Sequence, residues 1–282
     1  MTAPATSRPG TSASTDDPPA RFGDLLAAEW IKLWSLRSTF WVLGLGALTL
    51  IGLNVQATLA DHRLMASWSA QRLADYNWMN DAFGQSPYLL LMICTGAIGA
   101  ITIAGEYTSG LIRTTFAAVP ARRSVVAAKA AVVTVVMTIL GTVVAVTSFG
   151  VTQAILSTRG GGYSFTDPGV PQAIAASALI APVCALIGMG VGALIRHTAA
   201  SVIGVFAVLV MLPELTKGRS YAWVVDLHNA MPWPAWATLR NSPWQDVPDP
   251  YAATATGSWI VLALWPLAAV LLATLAVHRR DP

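Results

Sequence analysis

Residues 105–129, GEYTSGLIRTTFAAVPARRSVVAAK, form a polar, basic segment between two long apolar runs. On a helix from Glu106 to Pro120, one face is polar and carries residues at i, i+4, i+7 and i+8: Glu106, Gly110, Arg113 and Thr114. The other face is apolar, with Ile112, Phe116 and Val119, and Pro120 ends the helix. The segment predicts a short amphipathic helix at a membrane surface, placed to dock against a partner.

The composition indicates an integral membrane protein. The 282 residues are 55% hydrophobic and 11% charged, whereas about 25% of the residues of a soluble domain are charged. Apolar runs long enough to cross about 30 Å of hydrocarbon lie at residues 39–60, 87–105, 127–156, 171–195, 198–213 and 257–277. Continuous apolarity excludes the alternating pattern of a β-barrel. The sequence therefore predicts an all-α membrane protein with six transmembrane helices.

The fifth run, residues 198–213, permits two interpretations. It is shorter than the usual minimum of about 17 residues, so a re-entrant hairpin is the alternative to a full span. Either topology leaves more Lys and Arg inside than outside, so the positive-inside rule does not decide between them. Six spans are favoured because Arg279 and Arg280 directly follow the last run, where that rule acts most strongly.

The distribution of basic residues predicts that both termini are cytoplasmic. With six spans, the minority of Lys and Arg residues that lie outside are Arg63, Arg72, Arg159, Lys217, Arg219 and Arg240. The net charge of +3 reflects this asymmetry and does not indicate nucleic-acid binding.

Two segments precede the first span. Residues 1–21 are predicted to be a disordered tail, because they contain almost no large apolar side chain, and residues 22–282 to be a single transmembrane domain. Residues 22–38 predict an interfacial helix anchored at the membrane surface by Trp30, Lys32, Trp34 and Arg37. The alternative is that these residues only begin the first spanning helix. Glu29 and Lys32 argue against it, because they would be costly inside hydrocarbon.

Residues 214–255 connect the last two spans and combine Trp with Pro. The segment contains Trp223, Trp233, Trp236 and Trp244, interleaved with Pro232, Pro234, Pro243, Pro248 and Pro250. Proline interrupts long helices and Trp favours the membrane interface. We therefore expect short helices that cap the outer end of the spans.

The sequence contains no GxxxxGK[ST], HExxH or CxxC motif, and its four histidines are scattered. The chain is therefore not expected to hydrolyse ATP by the P-loop route or to bind a cofactor. Gly188, Gly190 and Gly192 form a GxGxG inside the fourth run, where close helix packing explains them better than phosphate binding. Ionisable side chains are missing from the interior of the apolar runs, which suggests that energy for any transport comes from another chain.

Two stretches resemble one family. AEWIKLWSLRSTFW at residues 28–41 and GEYTSGLIRTTFAAVPARRSVVAAK at residues 105–129 are similar to segments of the permease subunits of ABC exporters of the ABC-2 type, especially actinobacterial ones. The resemblance implies six spans, a cytosolic interfacial helix before the first, a coupling helix between the second and third, and short exoplasmic helices between the fifth and sixth. It also implies a multi-pass protein of a bacterial cell membrane.

The resemblance also implies partners and roles. The permease would pair with a second permease copy, identical or related, and with separately encoded ATP-binding cassette subunits that carry ATP and Mg²⁺. The residues that would contact the ATPase or transmit its closure are Glu106, Tyr107, Gly110, Arg113 and Thr114. For Glu106, a surface ion pair is the alternative. Arg122 and Arg123, with the segment that continues to Lys129, would anchor the loop at anionic lipid.

The expected function is export of a hydrophobic or amphipathic substrate, such as a drug, lipid or peptide, by a chain that is not itself an enzyme. Neutral, Thr-rich spans favour such cargo over a highly charged polymer. The alternative is a membrane-embedded binding or immunity protein that sequesters a peptide or lipid without transport. An intramembrane enzyme is disfavoured, because no paired catalytic groups occur in the spans.

Overall fold

The computed structural model describes residues 21–35, 37–119, 121–217, 221–241 and 253–279. Within these ranges the chain is helical and contains no β-strand. The predicted disordered tail lies outside the described residues except for Arg21, and so does Pro120.

Within the described ranges, six helical segments are long and apolar enough to cross a membrane, which confirms the predicted number. They are Phe40–Ser67, Met79–Thr108, Arg122–Ser157, Val170–Ile195, Thr198–Leu215 and Ala255–His278. We call them spans 1 to 6. All six are longer than the corresponding apolar runs, because the helices continue past the ends of those runs. Span 3, for example, includes Arg122 and Arg123, which precede the apolar run.

The α-helices, numbered in chain order, are α1 Phe22–Ser35, α2 Arg37–Leu64, α3 Ala70–Ala74, α4 Met79–Ala82, α5 Gln85–Thr108, α6 Leu111–Ala118, α7 Arg122–Ser157, α8 Val170–Ile195, α9 Thr198–Phe206, α10 Leu212–Leu215, α11 Ala222–Asn229, α12 Pro232–Asn241 and α13 Ala255–Arg279. A 3₁₀ turn follows α2 at Met65–Ser67, and a π-helical turn joins α9 to α10 at Ala207–Met211. The described part of α1 ends at Ser35 and that of α2 begins at Arg37, and the interfacial role of α1 stays a prediction. Helices α1 and α6 lie at one end of the spans, which we call the coupling end.

Span 4 is the centre of the bundle. Its apolar window is 78% buried, against 22% for spans 1, 5 and 6, and α8 packs against α5, α7 and α13. Small residues allow this, since a Cβ on Gly188 would overlap the backbone of Gly96 and one on Gly192 would overlap that of Ala100. The GxGxG therefore serves helix packing, as predicted. Close approach of backbones replaces the hydrophobic effect as a driving force inside lipid.

Span 5 is a continuous helical segment of 18 residues. At about 1.5 Å per residue it reaches about 27 Å, close to the thickness of the hydrocarbon layer. The π-helical turn at Ala207–Met211 lies in its middle. The interpretation as a full span is therefore favoured over the hairpin.

The end opposite α1 and α6 is capped by α11 and α12, which matches the predicted short helices. Trp236 of α12 is buried, donates its indole N–H to the Ser177 hydroxyl at 3.1 Å and stacks on the Tyr88 ring at 4.8 Å. Arg240, which we predicted in an outer loop, is also buried, and its guanidinium donates to the Phe83 carbonyl. Burial lowers the pKa of Arg240 to about 10. Trp244 and the prolines that follow α12 lie outside the described residues.

We expect Gly188→Ala to destabilise the protein by about 1–3 kcal/mol, the usual effect of overpacking, because the new methyl group would meet the Gly96 backbone. The matched control is Gly52→Ala on span 1, where a Cβ meets no atom within 4 Å. Thermal unfolding in detergent should give a lower Tm for Gly188→Ala only. Equal Tm values for the two variants would contradict the central packing role of span 4.

Candidate functional site

The segment between spans 2 and 3 contains two helical parts instead of one continuous helix. Helix α5 ends at Thr108, Gly110 has a left-handed backbone with φ of 74°, and α6 begins at Leu111. The prediction of a single helix from Glu106 to Pro120 is therefore wrong, because the left-handed glycine interrupts it. Glu106 and Tyr107 belong to the last turn of span 2, whereas Arg113 and Thr114 belong to α6.

Helix α6 has one packed face and one exposed face. Ile112 and Phe116 are buried in an apolar cluster with Leu25 of α1 and Met189 of span 4, which agrees with the predicted apolar face. Arg113 and Thr114 are exposed on the other side. The Thr114 hydroxyl donates to the Leu111 carbonyl within α6 at 2.8 Å. The helix thus presents a cationic side chain away from the bundle while its apolar side holds it in place.

A cluster of four charged side chains lies beneath α6. The Lys129 ammonium of span 3 donates to the Glu29 carboxylate of α1 at 2.5 Å and to Glu106 of span 2 at 2.9 Å. Lys32 donates to the same two carboxylates, at 2.7 Å to Glu29 and 3.2 Å to Glu106. We call Glu29, Lys32, Glu106 and Lys129 the ion cluster. It joins three elements that are distant in sequence.

The ion cluster corrects one prediction. Lys129 was assigned to the lipid anchor, but it is only 5% exposed and its charge faces two carboxylates. Glu106 and Lys129 lie near the ends of spans 2 and 3, outside the interior of the apolar runs, which was expected to lack ionisable side chains. These charges can be buried because each lies against a partner of opposite sign, which takes the place of water. For Glu106, the ion pair that we considered as an alternative is present.

Two members of the ion cluster lie in α1, outside the spans, and have shifted pKa values. Burial opposes ionisation of Glu29, but attraction and hydrogen bonds from Lys129 and Lys32 outweigh it and lower its pKa. Burial likewise opposes protonation of Lys32, and the two carboxylates outweigh it and raise its pKa. Both side chains are therefore held in their charged forms at neutral pH.

The remaining predicted anchors lie around this site. In α1, Trp30 is 43% exposed and its ring lies 5.6 Å from that of Trp34, whereas Lys32 belongs to the ion cluster. The Arg122 guanidinium lies 5.3 Å from the Phe116 ring and so contacts α6, while Arg123 is exposed. The Arg37 side chain lies outside the described atoms. Anchoring by these residues stays a prediction.

Arg196 also lies at the coupling end, and nothing in the sequence predicted a functional role for it. It ends α8 with a left-handed backbone, φ of 60°, which is rare for a residue with a side chain. Its guanidinium donates to the Ala276 carbonyl of span 6 at 2.9 Å and lies 4.6 Å from the Tyr107 ring of span 2. Arg196 thus connects spans 2, 4 and 6 close to the ion cluster.

A cavity of about 460 Å³ adjoins the ion cluster. All four charged residues line it, together with Leu111 of α6 and, on the apolar side, Leu33, Ile98, Ile101, Val132 and Val133. Ile101 and Leu111 are nearly half exposed, so the cavity is open on their side. Among the described residues, no group of three or more His, Cys, Asp or Glu side chains is arranged to hold a metal ion.

The sequence of the chain matches one known family. The sequence model of the family described as ABC-2 family transporter protein matches residues 25–214, more than half of the chain. The chain belongs to this family. It is the permease of an ABC transporter, a multi-pass membrane subunit for transport. The match covers most of α1, all of α2 to α9 and most of α10, including the whole ion cluster and the cavity. No curated protein is significantly similar to the chain in sequence.

We expect Lys129→Met to destabilise the permease by about 3–5 kcal/mol, because it leaves two buried carboxylates with one partly exposed lysine. Arg123→Met, an exposed residue two turns earlier on the same helix, is the control and should have little effect. Thermal unfolding in detergent measures both. A Tm for Lys129→Met equal to that of the control would show that the ion cluster contributes nothing to stability.

The lowered pKa of Glu29 predicts a pH dependence. The stabilisation that Glu29 gives relative to Glu29→Gln should be fully present above its ordinary pKa of 4.5 and lost as the pH falls through the lower value in the folded protein. Tm values of the two proteins between neutral and acid pH test this. The exposed carboxylate of Asp75, removed as Asp75→Asn, controls for general acid effects. A difference between wild type and Glu29→Gln that does not shrink in acid would contradict the prediction.

Proposed function

We propose that this permease exports a hydrophobic or amphipathic substrate, such as a drug, lipid or peptide, with energy from a separate ATP-binding cassette subunit. The observation that carries the proposal is the two-sided arrangement of α6. Its outer face offers Arg113 and Thr114 to a partner, and its inner face packs on elements that the ion cluster joins. An exposed cation on a firmly seated helix suits an acidic or carbonyl-rich groove of the ATPase.

The proposed mechanism transmits closure of the ATPase through α6. Nucleotide binding would close the ATPase subunits and push on Arg113 and Thr114. Since Ile112 and Phe116 pack with Leu25 of α1 and with spans 3 and 4, the displacement would reach α1 directly. The same displacement would also reach span 2, because Gly110 links α6 to the last turn of span 2, which contains Glu106 and Tyr107. ATP drives the change because its binding stabilises one conformation over the other.

In this proposal, the roles of the predicted coupling residues differ. Arg113 and Thr114 would contact the ATPase, because they are exposed. Glu106 would act inside the permease, because its side chain is buried and paired with Lys129. Gly110 would supply the bend between span 2 and α6, and Tyr107 would connect that bend to Arg196.

The assembly would contain two permease copies, identical or related, with two ATPase subunits that carry ATP and Mg²⁺. It would lie in a bacterial cell membrane with both termini in the cytoplasm, so that α1 and α6 face the cytosol. The Trp residues of α1 and the basic residues Arg122 and Arg123 support this orientation, because they suit an anionic cytoplasmic surface.

We expect Arg113→Glu to abolish co-purification of the ATPase with the tagged permease, because it reverses the charge of the exposed face of α6. Arg159→Glu is the matched control, since Arg159 is also exposed but lies at the opposite end of the spans. ATPase activity of membranes carrying both subunits provides a second readout, sensitive to Arg113→Glu only. Wild-type permease that brings down no P-loop protein would instead favour a binding or immunity protein that sequesters its ligand.

A further inference from the structure

Two carboxyl groups meet at the end of the bundle opposite α1 and α6. Asp61 lies near the end of span 1, and Asp81 lies in α4 at the start of span 2. The Tyr76 hydroxyl, from the segment between α3 and α4, lies 3.0 Å from Oδ2 of Asp61 and 3.0 Å from Oδ2 of Asp81. The two carboxyl groups are also within hydrogen-bonding reach of each other. We call Asp61, Tyr76 and Asp81 the carboxyl triad.

The carboxyl triad has too few hydrogens if both aspartates are ionised. A tyrosine hydroxyl has one hydrogen, so it can donate fully to only one of the two carboxylates. Two ionised carboxylates repel each other, whereas a protonated carboxyl can donate to an ionised one. Burial and the nearby Asp81 and Asp61 raise the pKa of Tyr76, so its hydroxyl stays a donor at neutral pH. One further proton, held between the aspartates, completes the triad.

Asp81 is buried without a cation beside it. It is 2% exposed, and its Oδ1 atom is buried with no hydrogen-bond partner among the described residues. Within the part of the chain that the structure describes, neither Asp81 nor Asp61 belongs to an ion pair. The ion cluster at the opposite end places ammonium groups against its carboxylates, and the carboxyl triad has no such group. A buried carboxylate without a cation is strongly unfavourable, and a bound proton removes that charge.

The other charged and titratable groups around the triad have different partners or are exposed. Helix α4 packs against α2 and α7. His62 of α2 forms a hydrogen bond of 3.0 Å with a threonine hydroxyl that follows α7. The Arg72 guanidinium of α3 lies 4.4 Å from the centre of a tryptophan ring, and Arg240 of α12 donates to the Phe83 carbonyl. The remaining groups are exposed, namely Arg63, Asp75 and Arg159.

We propose that the carboxyl triad binds one proton at neutral pH, shared between Asp61 and Asp81, and that this proton closes a pH-sensitive latch between spans 1 and 2. A proton lies between two carboxyl oxygens and needs no cavity. When it leaves, the two carboxylates repel, and the start of span 2 is no longer held against span 1. The movement would reach α12, because Phe83 follows Asp81 by two residues and accepts from Arg240. The latch is independent of the proposed transport function.

Release of the proton should destabilise the protein as the pH rises, because the folded chain holds a proton that an unfolded aspartate, with an ordinary pKa of 3.8, has already lost. Asp81→Asn replaces the protonated carboxyl by a neutral amide that can still donate to Asp61. Thermal unfolding in detergent should give similar Tm values for wild type and Asp81→Asn in acid, and a lower Tm for wild type at alkaline pH. Asp75→Asn, at an exposed position after α3, is the control and should follow wild type. A difference between wild type and Asp81→Asn that stays constant with pH would overturn the proposal.

Infrared spectroscopy of the purified permease detects the proton directly, because a protonated carboxyl and a carboxylate absorb at different frequencies. We expect the band of a protonated carboxyl at neutral pH in wild type and in the Asp75→Asn control, and its loss in Asp81→Asn. A wild-type spectrum without this band at neutral pH would overturn the proposal, and so would a band of the same strength in folded Asp81→Asn.

Two further variants distinguish proton binding from a purely structural role. Tyr76→Phe removes the hydroxyl that stabilises the ionised pair, so the pH at which the band disappears should rise, by about one unit for one charge-assisted hydrogen bond. Asp61→Asn removes the neighbouring negative charge, so that pH should fall. A packing defect would lower Tm without moving the two midpoints in opposite directions.

Shifts of the two midpoints in the same direction, or no shift in either variant, would overturn the proposal. Asp61 is only partly buried, so Asp61→Asn tests the latch even if Asp81→Asn does not fold. Since these measurements use the permease without an ATPase, their failure leaves the proposed coupling through Arg113 intact. Loss of ATPase co-purification likewise leaves the latch intact.

Discussion

The cost of placing charge within a membrane-spanning helix constrains the whole coupling end of this permease. Lys129 lies inside the helix of span 3, where an isolated ammonium would be strongly unfavourable. Glu29 and Glu106 neutralise it, and Lys32 balances the second carboxylate. Since Glu29 belongs to α1 and Glu106 to span 2, satisfying Lys129 also fixes where those elements lie. The path of the chain at this end follows from one electrostatic requirement.

Packing in the bundle follows a different rule from packing at the coupling end. Around span 4, glycines let backbones approach so closely that even a methyl group would not fit. These contacts have little freedom, and they suit elements that move together. At the coupling end, long side chains form the contacts, and Lys32 is partly exposed to solvent. A rigid centre and an ionic, partly exposed periphery suit the conformational change that we propose.

The sequence predicted the features that depend on local composition. Runs of apolar residues identified six spans, and the GxGxG of span 4 indicated close helix packing. The sequence did not predict the ion cluster, because Glu29 and Lys129 are 100 positions apart and Glu106 and Lys129 are 23 apart. The spacing of Glu29 and Lys32, one turn apart on a helix, was the one local signal. The break at Gly110 was missed because a glycine fits a helix pattern as well as a left-handed turn.

The left-handed backbone of Arg196 has a mechanical consequence. This conformation costs about 1–2 kcal/mol for a residue with a side chain, yet the chain retains an arginine where a glycine would relieve that cost. The arginine holds the span 6 carbonyl and the span 2 aromatic ring from the corner between spans 4 and 5. The ends of spans 2, 4 and 6 are thus joined through one side chain. A displacement of any one of these ends would pull on the other two through Arg196.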